Sequence, residues 1–331
     1  MKFSIVITTY NRLHLLKRAV DSALAQTEPC EVIVVDDCSS DGTHTYLDGL
    51  DGKVTLLRSN RNLGHSAAMN MGVELAEGDW IKPLDDDDYL APDCLEKMMA
   101  AIKQNAQAVI CSCQATKIQI NGNIIGRTHH RGIPKTFYIP QADIHYGMLL
   151  EQIPLGTTSQ VAFQRKAFLG SGGWDPSLDV LYDEIDSWIR IAEFGDVILL
   201  NACLVYRTVW SGGYNQKFSL SKRLAVNLLM KEKIYARVSK EHQMSLPSFE
   251  IICNYLKLHW LLVALKQQQF TFACSLAFPA ILSPGAWRLL VAVIVYRNSG
   301  RFKQPQIRHI SLIETSQTLG KEGSVPGEIL R

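Results

Sequence analysis

Short, continuously apolar runs alternate with amphipathic stretches along the first hundred residues. Ile5–Ile7 is rich in β-branched residues and ends on Thr8-Thr9-Tyr10-Asn11, which predicts a strand carrying polar groups to its carboxyl end. Leu13, Leu16, Val20 and Leu24 then recur at helical spacing, with Asn11 in position to cap that helix. Further strands are predicted over Glu31–Val35, which closes on Asp36-Asp37, over Val54–Leu57, and over Asp79–Leu84, which runs into four aspartates. A helix follows Pro92, with Leu95, Met98, Met99 and Ile102 on one face. Apolar strands separated by helices predict an α/β fold around a mainly parallel sheet covered on both faces.

Beyond residue 107 the rhythm loosens. Val109–Ile120, Asn121-Gly122-Asn123 and Ile124-Ile125 read as a hairpin, and Gly170–Gly173 as a turn. Asp183–Phe194 has the periodicity of a helix, with Ile185, Trp188, Ile189 and Ala192 as its apolar face. Val197–Leu200 and Leu204–Val209 predict two more strands. From about residue 216 the chain turns helical and basic, then strongly apolar. The expected organisation is an α/β domain over 1–215, divided into halves 1–105 and 106–215, followed by a helical extension over 216–331.

Charge sharpens that division. Residues 1–215 carry 18 Lys/Arg against 26 Asp/Glu, whereas residues 216–331 carry 16 against 6 and contain no Asp. An acidic front half suits a cation site, and a basic, apolar tail suits an anionic membrane surface. The eight cysteines show no Cys-x-x-Cys pair, so free thiols in a reducing compartment are expected; Cys111 and Cys113 would share one strand face. Met1-Lys2 leads straight into a strand pattern, so no signal peptide and a cytoplasmic location are expected.

In parallel sheets ligands bind outside the carboxyl ends of the strands. Thr8–Asn11, Asp36–Asp41 and Asp85–Asp88 all fall at that edge. Neither a Gly-x-Gly-x-x-Gly turn after the first strand nor a Gly-x-x-x-x-Gly-Lys-Ser/Thr loop occurs, which argues against the common dinucleotide and P-loop solutions. Four adjacent carboxylates repel one another unless a cation intervenes, and hard divalent ions take oxygen ligands together with substrate phosphates. A strand end opening into such a run therefore points to a metal-assisted phosphate site.

The segments Ile5-Val6-Ile7-Thr8-Thr9-Tyr10-Asn11-Arg12, Val34–Thr43 and Asn62–Gly72, followed by Leu84–Asp88 as an Asp-x-Asp-Asp element, resemble the family 2 inverting glycosyltransferases of GT-A fold. The resemblance weakens beyond residue 160. It implies a GT-A, Rossmann-like mixed sheet and a nucleotide-sugar donor, with hexosyl or N-acetylhexosaminyl transfer to an acceptor hydroxyl in polysaccharide or glycolipid synthesis. By position, Thr8, Tyr10 and Asp37 match the residues holding the nucleotide base, with Asp37 facing a pyrimidine N–H, which favours UDP. Asp85 matches a ribose or metal contact and Asp87 the ligand of Mn²⁺ or Mg²⁺. Asp86 is the variable position of the donor motif, Asp88 an outer or capping residue, and Asn70, with Asn62 and Gly64, lies on the loop that crosses the donor pocket. Asp41 with Gly42 reads better as a turn and helix cap.

Asp183-Glu184-Ile185-Asp186-Ser187-Trp188-Ile189-Arg190 resembles the family's Glu-Asp element followed by Trp-x-Arg, with the acids in reverse order. Counting back from Arg190 implies Glu184 as the base, with Asp183 as the alternative. Such a base takes the proton of the attacking hydroxyl. Like charge raises the pKa of Glu184 and a helix start lowers it. Asp186 and Arg190 fit an i,i+4 ion pair. The family's metal-facing His has no counterpart in Tyr206–Gly213, leaving Arg207 or a later basic residue to neutralise the leaving diphosphate, or a water to fill the coordination site. His65, His129, His130 and His145 read as surface or packed histidines. In the tail, Phe270–Leu282 and Ala286–Tyr296 fall short of the ~20 residues of a spanning helix. Lys222, Arg223, Lys231, Lys233 and Arg237 instead suggest peripheral docking of 216–310 on the inner leaflet, near a glycan or lipid-linked acceptor; residues 313–331 read as a flexible end. No nucleic-acid partner is expected. The rival readings are a nucleotide-sugar-binding scaffold without turnover, and a sugar nucleotidyltransferase.

Overall fold

Alternate residues of the first strand, β1 (Phe3–Thr9), are buried on opposite faces of a sheet. Phe3, Ile5 and Ile7 pack with Leu16, Ala19 and Val20 of helix α1 (Leu13–Leu24) and with Met98 and Ile102 of α4 (Cys94–Lys103). Val6 faces the other way, with Met69 and Val73 of α3 (His65–Leu75). A strand apolar on both faces needs helices on both sides, and the chain supplies them. The computed structural model describes residues 1–50, 52–128, 136–178, 182–210, 218–299 and 311–313.

Strands β2 (Cys30–Asp36), β3 (Thr55–Arg58) and β4 (Trp80–Asp85) join β1 in a parallel block ordered β3-β2-β1-β4, with Thr8 level with both Val35 and Asp85. Helix α2 (Thr43–Asp48) lies between β2 and β3 in the chain. The sheet continues through β9 (Val161–Gln164), β6 (Ala108–Ile118), β10 (Asp196–Thr208), β8 (Thr136–Ile139) and β11 (Ser311–Ile313). β6 and β10 run parallel over a long register, while β9 and β8 insert antiparallel. The short β5 (Tyr89–Leu90) pairs with β10, and β7 (Ile124–Arg127) closes the expected hairpin with β6. The result is the mixed, mainly parallel α/β architecture that the sequence pattern predicts.

Two local expectations change. Val197–Leu200 and Leu204–Val209 form one strand, β10, whose register slips around Cys203; the bulges absorb Asn201-Ala202 without ending the ladder. Asn11 does not cap α1. Its backbone is left-handed (φ +53°) and its Oδ1 accepts from the Ser40 N–H, while Asp41 Oδ2 accepts from the Leu13 N–H at 2.9 Å. Asp41 also accepts from Thr43 N and Oγ1, so it holds its own turn and the start of α1 together.

Helices α5 (Gln141–Leu149), α6 (Arg165–Gly170) and α7 (Asp183–Ile191) complete the second half, with Trp188, Ile189 and Ala192 buried as expected. α8 (Leu220–Tyr235) contributes Val226, Met230 and Ile234 to this same core. With α9 (Phe249–Lys266), α10 (Phe270–Ala280) and α11 (Pro284–Ser299) it also starts a separate apolar cluster around Tyr255, Leu258 and Ala264.

Three of the five basic residues at 222–237 are held within the protein. Lys231 is buried and donates to the Met148 and Leu149 carbonyls, closing the carboxyl end of α5. Lys233 pairs with Asp186, and Arg237 with Glu193. These charges fasten the extension to the α/β domain. All eight cysteines are free thiols, with Cys94, Cys111 and Cys113 buried.

Candidate active site

The parallel block brings the polar ends of β1, β2 and β4 to one edge. Thr8 is buried there, and its Oγ1 has no hydrogen-bond partner among the described residues. Tyr10, just past the strand, is 45% exposed, as a ring available for stacking must be. Asp37 is buried, and both its oxygens accept from the Leu63 N–H while Oδ2 also accepts from the Gly64 N–H at 2.8 Å. Gly64 itself has φ +90°, a conformation that an L side chain would strain. Asp37 thus anchors the loop that leads into α3.

The aspartate run divides by environment. Asp86, grouped with the donor residues as the motif's variable position, is buried inside the protein: it accepts from Thr9 Oγ1 at 2.8 Å and from Arg12 Nη1 at 2.9 Å. Burial pushes its carboxyl up to about 6, against the pull of Arg12. Asp85, Asp87 and Asp88 present carboxylate oxygens that all lie within 4.8 Å of one another. Asp88, read from sequence as an outer residue, therefore belongs to the cluster, although its Oδ1 also accepts from the Thr208 N–H. Burial and then like charge raise the pKa of Asp87 and, more strongly, of Asp88. Three hard oxygen donors converging under mutual repulsion fit a divalent cation, which would relieve that repulsion.

The positions around Asp87 show what stands where a metal-facing His is missing. Trp210 Nε1 donates to Asp87 Oδ2 at 2.9 Å. Arg12 Nη1 lies 3.8 Å from the same oxygen, with its guanidinium over the Trp210 ring. The Asp87 carbonyl accepts from Arg18 Nη2 and from Thr208 Oγ1. Arg207, expected to supply positive charge, acts on Asp88, whose pKa it lowers. Residues 211–217, with the Gly212-Gly213 part of that stretch, lie outside the described residues, as do His129 and His130.

The second carboxylate pair opens α7. Tyr182, just before it, has φ +65°, an uncommon backbone for a bulky residue and a mark of local strain beside the pair. Asp183 is buried; its Oδ2 accepts from Ser66 Oγ at 2.9 Å and lies 3.3 Å from His65 Nδ1. Burial pushes the Asp183 carboxyl up, but the His65 and Ser66 contacts prevail and hold it at about 2. Glu184 moves the opposite way, well above the usual carboxylate range, through burial and then the Asp183 charge. Asp186 accepts from Arg190 Nε at 2.8 Å and also meets Lys233, so the expected ion pair is a three-membered one.

His65 is the residue that sequence reading undervalued. Its Nε2 lies 3.5 Å from Asp85 Oδ1 while its Nδ1 faces Asp183, so one ring touches both carboxylate centres. Its edge packs against Trp174, with centroids 5.0 Å apart. Asn70, expected on the donor, has a tethering role in this structure: Nδ2 donates to the Trp174 carbonyl at 2.9 Å and Oδ1 accepts from its N–H at 2.8 Å. His145 is packed as expected, bonded to the Ile189 carbonyl.

Comparison with known proteins places the chain in a family and a fold. The model of the family described as "Glycosyl transferase family 2" matches residues 4–170. The succinoglycan biosynthesis protein ExoO of Rhizobium meliloti (strain 1021) is 43% identical over 96 residues, covering 28% of this chain and 28% of that protein. The chain spans 28% of the length of ExoO, and 58% and 61% of uncharacterised glycosyltransferases from Haemophilus influenzae and Bacillus subtilis. Among solved structures, S. aureus TarS in complex with UDP-GlcNAc superposes with a TM-score of 0.57 at 18% identity, over 90% of this chain and 82% of that one. The mannosyltransferase PcManGT of Pyrobaculum calidifontis, in complex with GDP-Man and Mn²⁺, gives 0.52 at 18% identity, over 89% and 86%. The fold is thus GT-A-like, and by the match across half its length the chain belongs to glycosyl transferase family 2.

Proposed function

We propose that the chain transfers a sugar from a nucleoside-diphosphate donor, best read as a UDP-sugar, to an acceptor hydroxyl with inversion at C1. Residues 1–105 form the donor half and 106–215 the acceptor half of one site. The observation that carries this reading is the convergence of two carboxylate groups, Asp85-Asp87-Asp88 and Asp183-Glu184, joined through His65. Tyr10 and the unpartnered Thr8 hydroxyl are available to the nucleotide, and Asp37 holds the loop over it. Asp85, Asp87 and Asp88 would hold Mn²⁺ or Mg²⁺, which when bound offsets the charge of the departing diphosphate. Arg12 and Arg207 bring positive charge to the same carboxylates. Glu184 takes the acceptor proton, and its raised pKa makes it the stronger base of the pair. Asp183, gripped by His65 and Ser66, keeps Glu184 in place. Binding of UDP to Asp87→Asn and to the wild type, titrated with and without Mn²⁺, tests the donor half. Metal-dependent affinity in the wild type and its loss in the variant are expected; equal affinity in all four titrations would refute it.

The succinoglycan and poly(ribitol-phosphate) relatives favour a role in surface-polysaccharide assembly. We further propose that the extension meets an anionic bilayer on the cytoplasmic side, through α10 and α11 rather than α8. No single described helix is long and apolar enough to cross a membrane. The α10–α11 pair bends by 117°, buries Ala273, Leu276, Ala286 and Leu290, and exposes Phe270, Phe278, Leu282, Val291, Ile294 and Val295. Phe278 and Leu282 are 75% and 69% exposed. No acidic residue occurs between Glu250 and Glu314, while Lys266 and Arg288 are exposed there. An apolar face framed only by cations suits the headgroup and acyl boundary of anionic lipid.

A further inference from the structure

The first two residues of α3 hold an acid 118 and 117 positions away: His65 Nδ1 and Ser66 Oγ both meet Asp183 Oδ2. The same imidazole reaches Asp85, at the end of β4, with its other nitrogen. Three neighbours restrict the ring. Trp174 closes one edge, the Asn70 bonds fix the backbone of Trp174, and Asp37 fixes the loop before α3 through Gly64. Trp174 is almost fully buried and packs edge-on against Trp188 of α7, the helix that begins with Asp183. Loop, α3 start and α7 start thus form one rigid unit with His65 at its centre.

We propose that His65 is a positioning residue that sets the Asp183-Glu184 pair at a fixed distance from the donor-side carboxylate Asp85. The inference rests on the transfer reading above and adds a specific division of labour within the ring. Nδ1 orients the acceptor side through Asp183, and Nε2 orients the donor side through Asp85. Ser66 also meets Asp183 and so supports the first of these contacts.

The two nitrogens can be tested separately. An Asn amide nitrogen reaches the position of Nδ1, and a Gln amide nitrogen that of Nε2. The full-length chain, with UDP-GlcNAc and Mn²⁺ as probe, is compared as wild type, His65→Ala, His65→Asn and His65→Gln by donor turnover, donor KM and thermal unfolding. His65→Ala is expected to lose turnover about a hundredfold, the cost of a misplacement near 1 Å, while remaining folded. His65→Asn recovers turnover with KM still raised, and His65→Gln recovers KM with turnover still low. Equal effects of all three on turnover and KM, or losses that follow the fall in folded fraction, would overturn the proposal. Wild type that binds UDP but turns over no donor would overturn the transfer reading instead, and with it any catalytic role for His65.

Discussion

As the proposed base, Glu184 would have to be ionised to accept a proton, so turnover should rise with pH through its raised pKa. Burial is the first cause of that rise and the charge of Asp183 the second. Replacing Asp183 by Asn removes the charge, lowers the pKa of Glu184 and moves the acidic limb of the rate profile to lower pH. A limb that stays in place would show that another group governs it. Asn70→Ala tests a different kind of residue: it leaves the Trp174 N–H and carbonyl without their partner. A loss of about 1–3 kcal/mol in a denaturant titration is expected, and unchanged stability would remove the tether from the account. The common edge of Thr8, Asp37, Asp85 and Asp87 was legible in the sequence because each lies at or just past the end of a strand whose pattern is local; their donor roles came from the family resemblance alone. His65, Arg12 and Trp210 were not. Each acts on a carboxylate 20 to 123 positions away, and no spacing rule reaches so far.

At the scale of elements, α3 lies so close to the sheet that Gly72 has no room for a side chain. A Cβ there would stand 2.4 Å from Val6 Cγ1 and 3.0 Å from Val35 Cγ2. Gly72→Ala should therefore cost about 1–3 kcal/mol by overpacking, seen as a lower Tm, and should disturb the site through the start of the same helix. A Tm equal to that of the wild type would mean that α3 can lift without penalty. On α10 and α11, Leu282→Glu with Ile294→Glu is expected to weaken sedimentation with anionic vesicles at least tenfold, since one buried Leu or Ile contributes about 1.5–3 kcal/mol. Undiminished binding, or self-association in place of vesicle binding, would contradict the assigned face. Sequence periodicity found β1 to β4, β6, β7, α1, α4 and α7, because each pattern is local to its element, and made no assignment for α3, α5, α6, β8 or β9. It split β10 in two, since a bulge interrupts the alternation while the backbone ladder continues. It assigned Lys231, Lys233 and Arg237 to a membrane, since a helix that buries Lys231 against the carboxyl end of another reads like any basic amphipathic helix.

Across the whole molecule, the acidic half and the basic half meet in specific pairs. Lys233 with Asp186 and Arg237 with Glu193 fasten the extension to the helix whose first turn holds the proposed base and to the turn that follows it. The charge asymmetry was visible in the sequence, but composition could not say that part of it is consumed internally. What composition and motif order did convey was the acidic edge at the strand ends, and the structure adds His65, which joins that edge to the Asp183-Glu184 pair. The most direct measurement follows UDP-GlcNAc consumption with Mn²⁺ by wild type and Glu184→Gln, beside the UDP affinity of each. The account predicts unchanged UDP affinity with turnover lower by about 10²–10⁴-fold. Full turnover by Glu184→Gln would contradict it.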